Sequence, residues 1–360
     1  MESSEGVSVG WVASNCGCGD PIEQERLFLA ADRSYFEMPS ISDYRSEKRL
    51  RRTIRLMARH AMDNVRARRF ANHTPDGTDV VHFQQTLSAY GSDVLFRWLK
   101  VERSALKAVT VHELDNDQLT DVGQNANYNL AHVIFVHDHD LRDKMIGLGV
   151  DAHRIHIICH GARLPSARPE PMERRRNIVF YGGHKLMRGK GIETVMSAYS
   201  MLRAEWGPNS PNLLIHGHYA TTAPRAAVDM AEAYGIGAGV IWLNQIDMDA
   251  MEDLYAKSSL CILPFTGSFA GLPCATAAAN GLPVIGTRKA GIPEHLGENF
   301  VAVEGDNAEG LFRAMLSLLK DPHQWQGLSE AAYSHAQAAL DWNVIGGQTL
   351  DAYRLAAHKI

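Results

Sequence analysis

The sequence predicts an α/β protein with two doubly wound, parallel-sheet domains that face each other across a cleft. Short apolar runs alternate with longer helical patterns along the chain, which is the pattern of βα units. A chain of 360 residues is too long for one ordinary hydrophobic core, which favours two domains. Residues 162–176, rich in proline and charge, separate two series of apolar runs and indicate a linker.

Each series of apolar runs predicts the strands of one sheet. The strands predicted in the first half are residues 8–14, 79–85, 107–112, 132–137 and 155–161. Those predicted in the second half are residues 177–183, 212–218, 239–245, 260–265, 282–287 and 300–305. Such sheets bind ligands at the carboxyl ends of their strands, so functional residues are expected in the turns that follow these runs.

The net charge of −5 is unremarkable, but its distribution is uneven. Residues 45–70 hold ten basic against two acidic residues, with Leu50, Ile54 and Met57 at helical spacing. A surface helix that docks on its own domain is the leading interpretation, and contact with an anionic membrane or an anionic acceptor is the alternative. The acidic start lacks the features of a signal peptide, and no apolar run approaches the length of a membrane span. These observations predict a cytoplasmic protein. If segment 45–70 contacts a membrane, the protein would be peripheral to the inner membrane face. No nucleic-acid partner is expected.

Neither the cysteines nor the acidic triplets favour a metal site. The five cysteines are scattered except for Cys16 and Cys18, whose setting "NCGCGD" predicts a glycine-rich turn rather than a zinc or redox site. Three Asp-x-Asp triplets begin at Asp115, Asp138 and Asp247, and a chain with 41 acidic residues produces such triplets readily. We expect no metal and no other cofactor.

Two motifs of the second half predict a diphosphate site. In "NIVFYGGHKLMRGKGIETVMSAY", a strand ends in glycines, a basic loop follows, and Gly191 opens a helix, so cations and free backbone N–H groups converge. In "LPFTGSFAGLPCATAAANGLPVIG", a helix of small residues follows a strand and allows close approach of a ligand to its N-terminus. Read alone, the first could equally be a solvated loop and the second a tightly packed helix.

Several ordered motifs together resemble the retaining glycosyltransferases of family 4, which have the GT-B fold. They are "DVVHFQQ", "AVTVHELD", "HVIFVHDHDLRDKMIGLGVDAHRIHIICHGAR", "KGIETVMSAY", "GLPVIGTRKAGIPEHL" and "LDWNVIGGQTLDAYRL". The resemblance implies a Rossmann-like acceptor-side domain over residues 1–163, a linker over 164–176 and a Rossmann-like nucleotide-sugar domain over 177–340. It also implies a final helix over 341–360 that packs back toward the first domain.

The resemblance assigns site residues by their place in these motifs. Arg188 and Lys190 are expected to bind the diphosphate and His112 to face the donor sugar, and these three are the predicted catalytic residues. The residues it places around the donor are Gly17, Gly19, Gly183, Lys185, Gly217, Asn244, Ser268, Phe269, Ala270, Gly271, Leu272 and Thr276.

The chain departs from the family in one respect. The family carries two glutamates eight positions apart that bind sugar and ribose hydroxyls, and this chain has neither. Thr276 stands at the ribose position, and the sugar position falls at Ser268 to Ala270. A neutral hydroxyl binds a ribose hydroxyl more weakly than a carboxylate does. Glu294, in "AGIPEHL", belongs to another part of the pattern and does not replace them.

The resemblance implies a hexosyltransferase-type enzyme that transfers a sugar, with retention, from a nucleotide diphosphate sugar to an acceptor. A non-catalytic nucleotide-sugar-binding or scaffold protein of this fold is one alternative, because the two glutamates are missing. A sugar-nucleotide epimerase is another. The nucleobase, the sugar, the acceptor (a small molecule, natural product or glycan) and the oligomeric state are left open.

Overall fold

The computed structural model describes most of the chain from residue 78 onward. The described residues are 78–85, 91–101, 105–112, 114, 126–166, 169–182, 189–207, 209–217, 225–243, 246–267 and 271–358. They fall into two compact units. The first holds the described residues up to Val136, Leu141–Ile158 and the end of the chain from Gly346, and the second holds His137–Asp140 and Cys159–Ile345. The predicted strand 8–14 and the basic segment 45–70 lie outside the described residues.

The first unit contains a parallel sheet with strand order β1-β2-β3-β4. The strands are β1 (Val80–Gln85), β2 (Leu106–Val111), β3 (Val133–Val136) and β4 (Ile155–Ile157). Helices α1 (Gly91–Val101) and α2 (His139–Gly147) lie between them in the chain. All four residues of β3 are buried, as expected of a strand covered on both faces. Leu99 and Met145 come from the helices and pack in the same core.

The second unit contains a six-stranded parallel sheet with strand order β10-β9-β8-β5-β6-β7. Its strands are β5 (Arg176–Tyr181), β6 (Leu213–His216), β7 (Val240–Leu243), β8 (Ser258–Leu263), β9 (Val284–Gly286) and β10 (Val301–Ala302). Its helices are α3 (Ile192–Trp206), α4 (Arg225–Ala233), α5 (Met248–Lys257), α6 (Gly271–Ala279), α7 (Ile292–Leu296), α8 (Ala308–Lys320) and α9 (Pro322–His335). A final helix, α10 (Trp342–Ala357), begins in this unit and ends in the first. The prediction of an α/β protein with parallel sheets is confirmed.

The chain reverses its direction of travel across the second sheet at β5. From β5 it moves outward through β6 and β7, then returns to β8 on the other side of β5 and continues to β9 and β10. In open α/β sheets, ligands bind outside the carboxyl ends of the strands at such a switch point. The sheet order therefore directs attention to the segments after β5 and β8.

The segment predicted as a linker contributes to the core of the second unit. Arg175 is only 2% exposed and stacks over the Trp325 ring, with its guanidinium carbon 5.2 Å from the ring centroid. Its guanidinium donates to the carbonyl oxygens of Glu170 (2.8 Å), Ser258 (3.4 Å) and Asn280 (2.7 Å). The charged, proline-rich composition predicted a linker, and within this segment a buried arginine that bonds three carbonyl groups packs against β8 and the end of α6.

Candidate functional site

The segments after β5 and β8 touch each other at the switch point. The Thr266 N–H donates to the carbonyl oxygen of Gly189 at 2.8 Å. Gly189 lies so close to Gly267 that a Cβ on it would be 3.2 Å from that backbone. A Cβ on Gly191 would be 2.7 Å from the carbonyl oxygen of Pro264. The two motifs that the sequence predicted as halves of one site are therefore adjacent.

Gly191 is expected to tolerate no side chain, because it combines left-handed backbone with this close approach. Its φ is 76°, and Gly207, with φ of 81°, has open space where a Cβ would go. Gly207→Ala should lower the free energy of unfolding by about 1 kcal/mol through the backbone alone. Gly191→Ala should lower the free energy of unfolding by clearly more than Gly207→Ala does, because Pro264 must also move. Urea denaturation of both variants measures this, and equal losses would mean that the contact is unimportant.

Lys190 is the buried cation of this site. Its side chain is 3% exposed, and its Nζ lies 4.0 Å from the ring centroid of Phe265 and 5.0 Å from that of Tyr181. Burial raises the pKa of Cys274 well above its usual range, as does Cys261, while the charge of Lys190 acts in the opposite direction. Cys274 belongs to α6, so the charge of Lys190 acts electrostatically on this helix.

Helix α6 supplies the neutral half of the site. It begins at Gly271, and all of its residues are buried except Leu272, which is half-buried. The first N–H groups of a helix have no partner inside the helix and carry a partial positive charge. The Lys190 ammonium and this helix start are both suited to an anion such as a diphosphate.

The structure describes only some of the predicted site residues. Thr276 lies within α6 and is 3% exposed, and Gly217 is buried directly after β6. His112 follows β2 in the first unit and is half-buried. The predicted residues that lie outside the described part of the chain are Gly17, Gly19, Gly183, Lys185, Arg188, Asn244, Ser268, Phe269 and Ala270.

Sequence reasoning missed the aromatic residues around Lys190. Tyr181 ends β5, and Phe265 follows β8 by two residues. The Tyr181 ring lies 5.1 Å from the ring of His216, whose Nε2 is 3.0 Å from the Tyr255 hydroxyl. The sequence did contain a signal for them, because each of the two neighbouring strands β5 and β8 is followed or ended by an aromatic residue, at the edge of the sheet where the site is predicted.

The acidic triplets within the described residues have structural contacts. Asp247 caps α5 by accepting from the N–H of Ala250 at 2.7 Å, and Asp249 pairs with Arg163 at 2.9 Å. Asp138 is buried. The triplet that begins at Asp115 lies outside the described residues.

Glu294 binds the backbone and ring of one histidine. Its carboxylate accepts from the N–H of His139 at 3.0 Å and lies 2.9 Å from the Nδ1 atom of that residue. Burial raises the pKa of Glu294, but the hydrogen bonds from His139 outweigh burial and the net pKa is lowered. Glu294 is therefore an ionised residue with a structural contact.

His295 is a neutral, fully buried histidine of α7. Its Nδ1 atom lies 2.8 Å from the carbonyl oxygen of Gly291, so that nitrogen carries the proton. Its Nε2 atom accepts from the N–H of His160 at 2.9 Å. Burial lowers its pKa to about 4, and a hydrogen bond to Gly291 opposes that shift. In the first unit, burial likewise lowers the pKa of His82 to about 4.

The buried histidines predict a loss of stability in mild acid. Between pH 6.5 and about 4 the unfolded chain binds protons at His82 and His295 that the folded chain does not. The contribution of these two histidines to the free energy of unfolding should therefore be fully present well above pH 6.5 and fall as the pH is lowered toward 4, by on the order of 3 kcal/mol for each histidine. Urea denaturation at pH 7.5 and 4.5 measures this. His295→Gln should flatten the pH dependence, and an unchanged slope would contradict the assignment.

Within the described residues, no helix is long and apolar enough to span a membrane.

Comparisons with known proteins agree with this geometry. A family model described as glycosyl transferases group 1 matches residues 175–321, which lie in the second unit. The D-inositol 3-phosphate glycosyltransferase of Rhodococcus opacus is 27% identical over 222 residues, which cover 58% of this chain and 49% of that protein. This chain thus spans about half the length of the curated relatives it matches.

Two solved structures show the fold. Sucrose-phosphate synthase from Thermosynechococcus elongatus has a TM-score of 0.65 at 21% identity, covering 81% of this chain and 76% of that one. Anabaena Alr3699/HepE, solved with UDP and glucose, has a TM-score of 0.62 at 15% identity, covering 76% and 77%. The predicted GT-B fold is confirmed.

Proposed function

We propose that the chain transfers a sugar from a nucleotide diphosphate sugar to an acceptor nucleophile, with retention at the anomeric carbon. The match of residues 175–321 to a family model described as glycosyl transferases group 1 supports this proposal. The observation that carries the proposal is the contact of the two loops at the switch point, where Lys190 is buried against Phe265 and Tyr181. This arrangement suits the diphosphate of such a donor. The solved structure with UDP and glucose supports the same class of ligand.

The site is suited to the departure of a diphosphate. The bond between the anomeric carbon and the diphosphate oxygen breaks, and negative charge grows on the leaving oxygens. Lys190, Arg188 and the dipole of α6 stabilise that charge. The acceptor oxygen bonds to the same face of the sugar, and its proton passes to the leaving phosphate oxygen. The protein chiefly positions the two substrates and supplies no nucleophile.

We propose that the diphosphate charge is neutralised by side chains and the helix start, without a metal. Asp247 and Asp249 are engaged in a helix cap and an ion pair. Donor binding measured in EDTA and in Mg²⁺ should be equal. A requirement for the divalent cation would overturn this part of the proposal.

Thr276 stands where the family places a ribose-binding glutamate, and this favours one alternative function. A hydroxyl is a weaker acceptor than a carboxylate, so a nucleotide-sugar-binding protein without turnover is the second candidate. A thermal-shift screen with UDP-, GDP- and dTDP-sugars identifies the donor, because a ligand that binds the folded state raises the unfolding temperature. Acceptor-dependent release of the nucleotide then supports the transferase, and binding without release supports the alternative.

For the basic segment 45–70, a surface helix that docks on its own domain stays the leading interpretation, and peripheral contact with anionic membranes is the alternative. Sedimentation with liposomes containing anionic lipid at low salt tests it. Recovery of the protein in the supernatant would remove the membrane interpretation.

A further inference from the structure

Two aromatic rings hold the Lys190 ammonium from different elements of the second unit. The ring of Phe265 approaches from the segment after β8 and that of Tyr181 from the end of β5, at 4.0 and 5.0 Å from Nζ. Both distances are within the roughly 6 Å over which a cation is attracted to an aromatic face. Both residues lie within the two motifs that predicted the site, but the sequence assigned neither of them a role in it.

Hydrogen bonds of the Phe265 backbone and a contact with a second ring fix the position of the Phe265 ring. The Phe265 N–H donates to the carbonyl oxygen of Leu263 at 2.7 Å, which forms a tight turn directly after β8. The Phe265 carbonyl oxygen accepts from the hydroxyl of Thr287 at 2.6 Å. The ring itself is fully buried and lies edge-on to Phe180 at 6.3 Å. Its position therefore does not depend on a ligand.

Tyr181 is fixed by a second layer of polar groups. Its ring packs against the ring of His216, which is bonded to buried Tyr255. Burial raises the pKa of Tyr181, so its hydroxyl stays neutral and adds no negative charge beside Lys190.

We propose that Phe265 and Tyr181 are positioning residues for the donor diphosphate, because their ring faces hold the Lys190 ammonium in place at the switch point before the donor binds. The inference rests on the proposed function of this site. A lysine side chain is flexible, and fixing it in advance removes an ordering cost from ligand binding. An aromatic ring attracts the cation without carrying a net charge, so it adds no repulsion toward the diphosphate.

The test compares an aromatic with an aliphatic residue at each position. Tyr181→Phe keeps the ring and Tyr181→Leu removes it, and Phe265→Leu removes the other ring while keeping an apolar side chain. Isothermal titration with UDP, GDP and dTDP identifies the nucleotide that the unchanged protein binds. For that nucleotide, each leucine variant should bind the diphosphate about 5- to 30-fold more weakly. Tyr181→Phe should bind it within about twofold of the unchanged protein, since it retains the cation–π contact.

A purely structural role would lower the affinity for every ligand equally. The corresponding nucleoside, which lacks phosphates, should therefore bind all variants alike. Equal diphosphate affinity in the leucine variants, or a parallel loss for diphosphate and nucleoside, would overturn the inference. Because Phe265→Leu removes a fully buried ring, each variant is first checked by thermal unfolding, and Tyr181→Leu against Tyr181→Phe provides the independent pair.

The same experiments separate this inference from the proposed function. If the unchanged protein binds no nucleoside diphosphate, the proposed function fails. The coupling between Lys190 and Phe265 is then still measurable, as a double-mutant cycle of Lys190→Met and Phe265→Leu on the free energy of unfolding. If the unchanged protein binds the diphosphate and the leucine variants bind it equally well, the function stands and the positioning role is wrong.

Discussion

Lys190→Met is expected to weaken binding of the donor diphosphate by about 10- to 100-fold and to lower turnover by at least as much. The substitution removes the buried positive charge of the candidate site, while methionine still packs against Phe265 and Tyr181. A hydrogen bond to a charged group contributes about 1.5–3 kcal/mol, which gives the range stated. Titration calorimetry with the donor nucleotide and initial rates of nucleotide release measure the two effects.

Lys257→Met is the matched control for this variant. Lys257 is exposed at the end of α5 and pairs with Asp253 at 2.6 Å, so the same substitution changes the net charge equally without touching the site. Its affinity and turnover should match the unchanged protein. Equal affinity in Lys190→Met and Lys257→Met would exclude a role of Lys190 in diphosphate binding.

Arg175→Leu is expected to lower the free energy of unfolding of the second unit by about 3 kcal/mol or more. The guanidinium is buried and bonds three carbonyl groups, and leucine would leave those oxygens without their donor. Burial lowers the pKa of Arg175 to about 10, with the charge of Glu170 acting against it, so the side chain stays charged at neutral pH. Urea denaturation followed by tryptophan fluorescence measures the loss.

Arg174→Leu separates burial from charge in that experiment. Arg174 is the neighbouring residue, and its side chain is exposed and pairs with Glu170 at 3.0 Å. A surface ion pair contributes about 0–1 kcal/mol, so this variant should change stability little. Similar losses in the two variants would contradict the role assigned to the buried guanidinium.

The apolar runs located most of the described strands because a strand buried on both faces must be continuously apolar. The run 177–183 corresponds to β5, and 260–265 corresponds to β8, although β8 begins two residues earlier, at Ser258. The run 155–161 gave a shorter strand, β4, because only Ile155–Ile157 pair with β3. The β-propensity of a segment does not show how many of its residues find a partner on the neighbouring strand.

The candidate site was predictable where it depends on local motifs and hidden where it depends on contacts between distant segments. The basic loop and the small-residue helix are visible in sequence because their glycines and small side chains are local requirements. The contact of Lys190 with Phe265 joins positions 75 residues apart. Arg175 and Asn280 are 105 residues apart, and nothing in the charged segment around Arg175 distinguishes a buried arginine from a solvated one.

The most direct test of the account is calorimetric titration of the protein with UDP, GDP and dTDP in EDTA, repeated with Lys190→Met and Lys257→Met. The account predicts that at least one nucleoside diphosphate binds the unchanged protein and Lys257→Met with equal affinity and Lys190→Met at least about tenfold more weakly. Absence of binding by all three nucleotides, or equal binding by Lys190→Met, would contradict it.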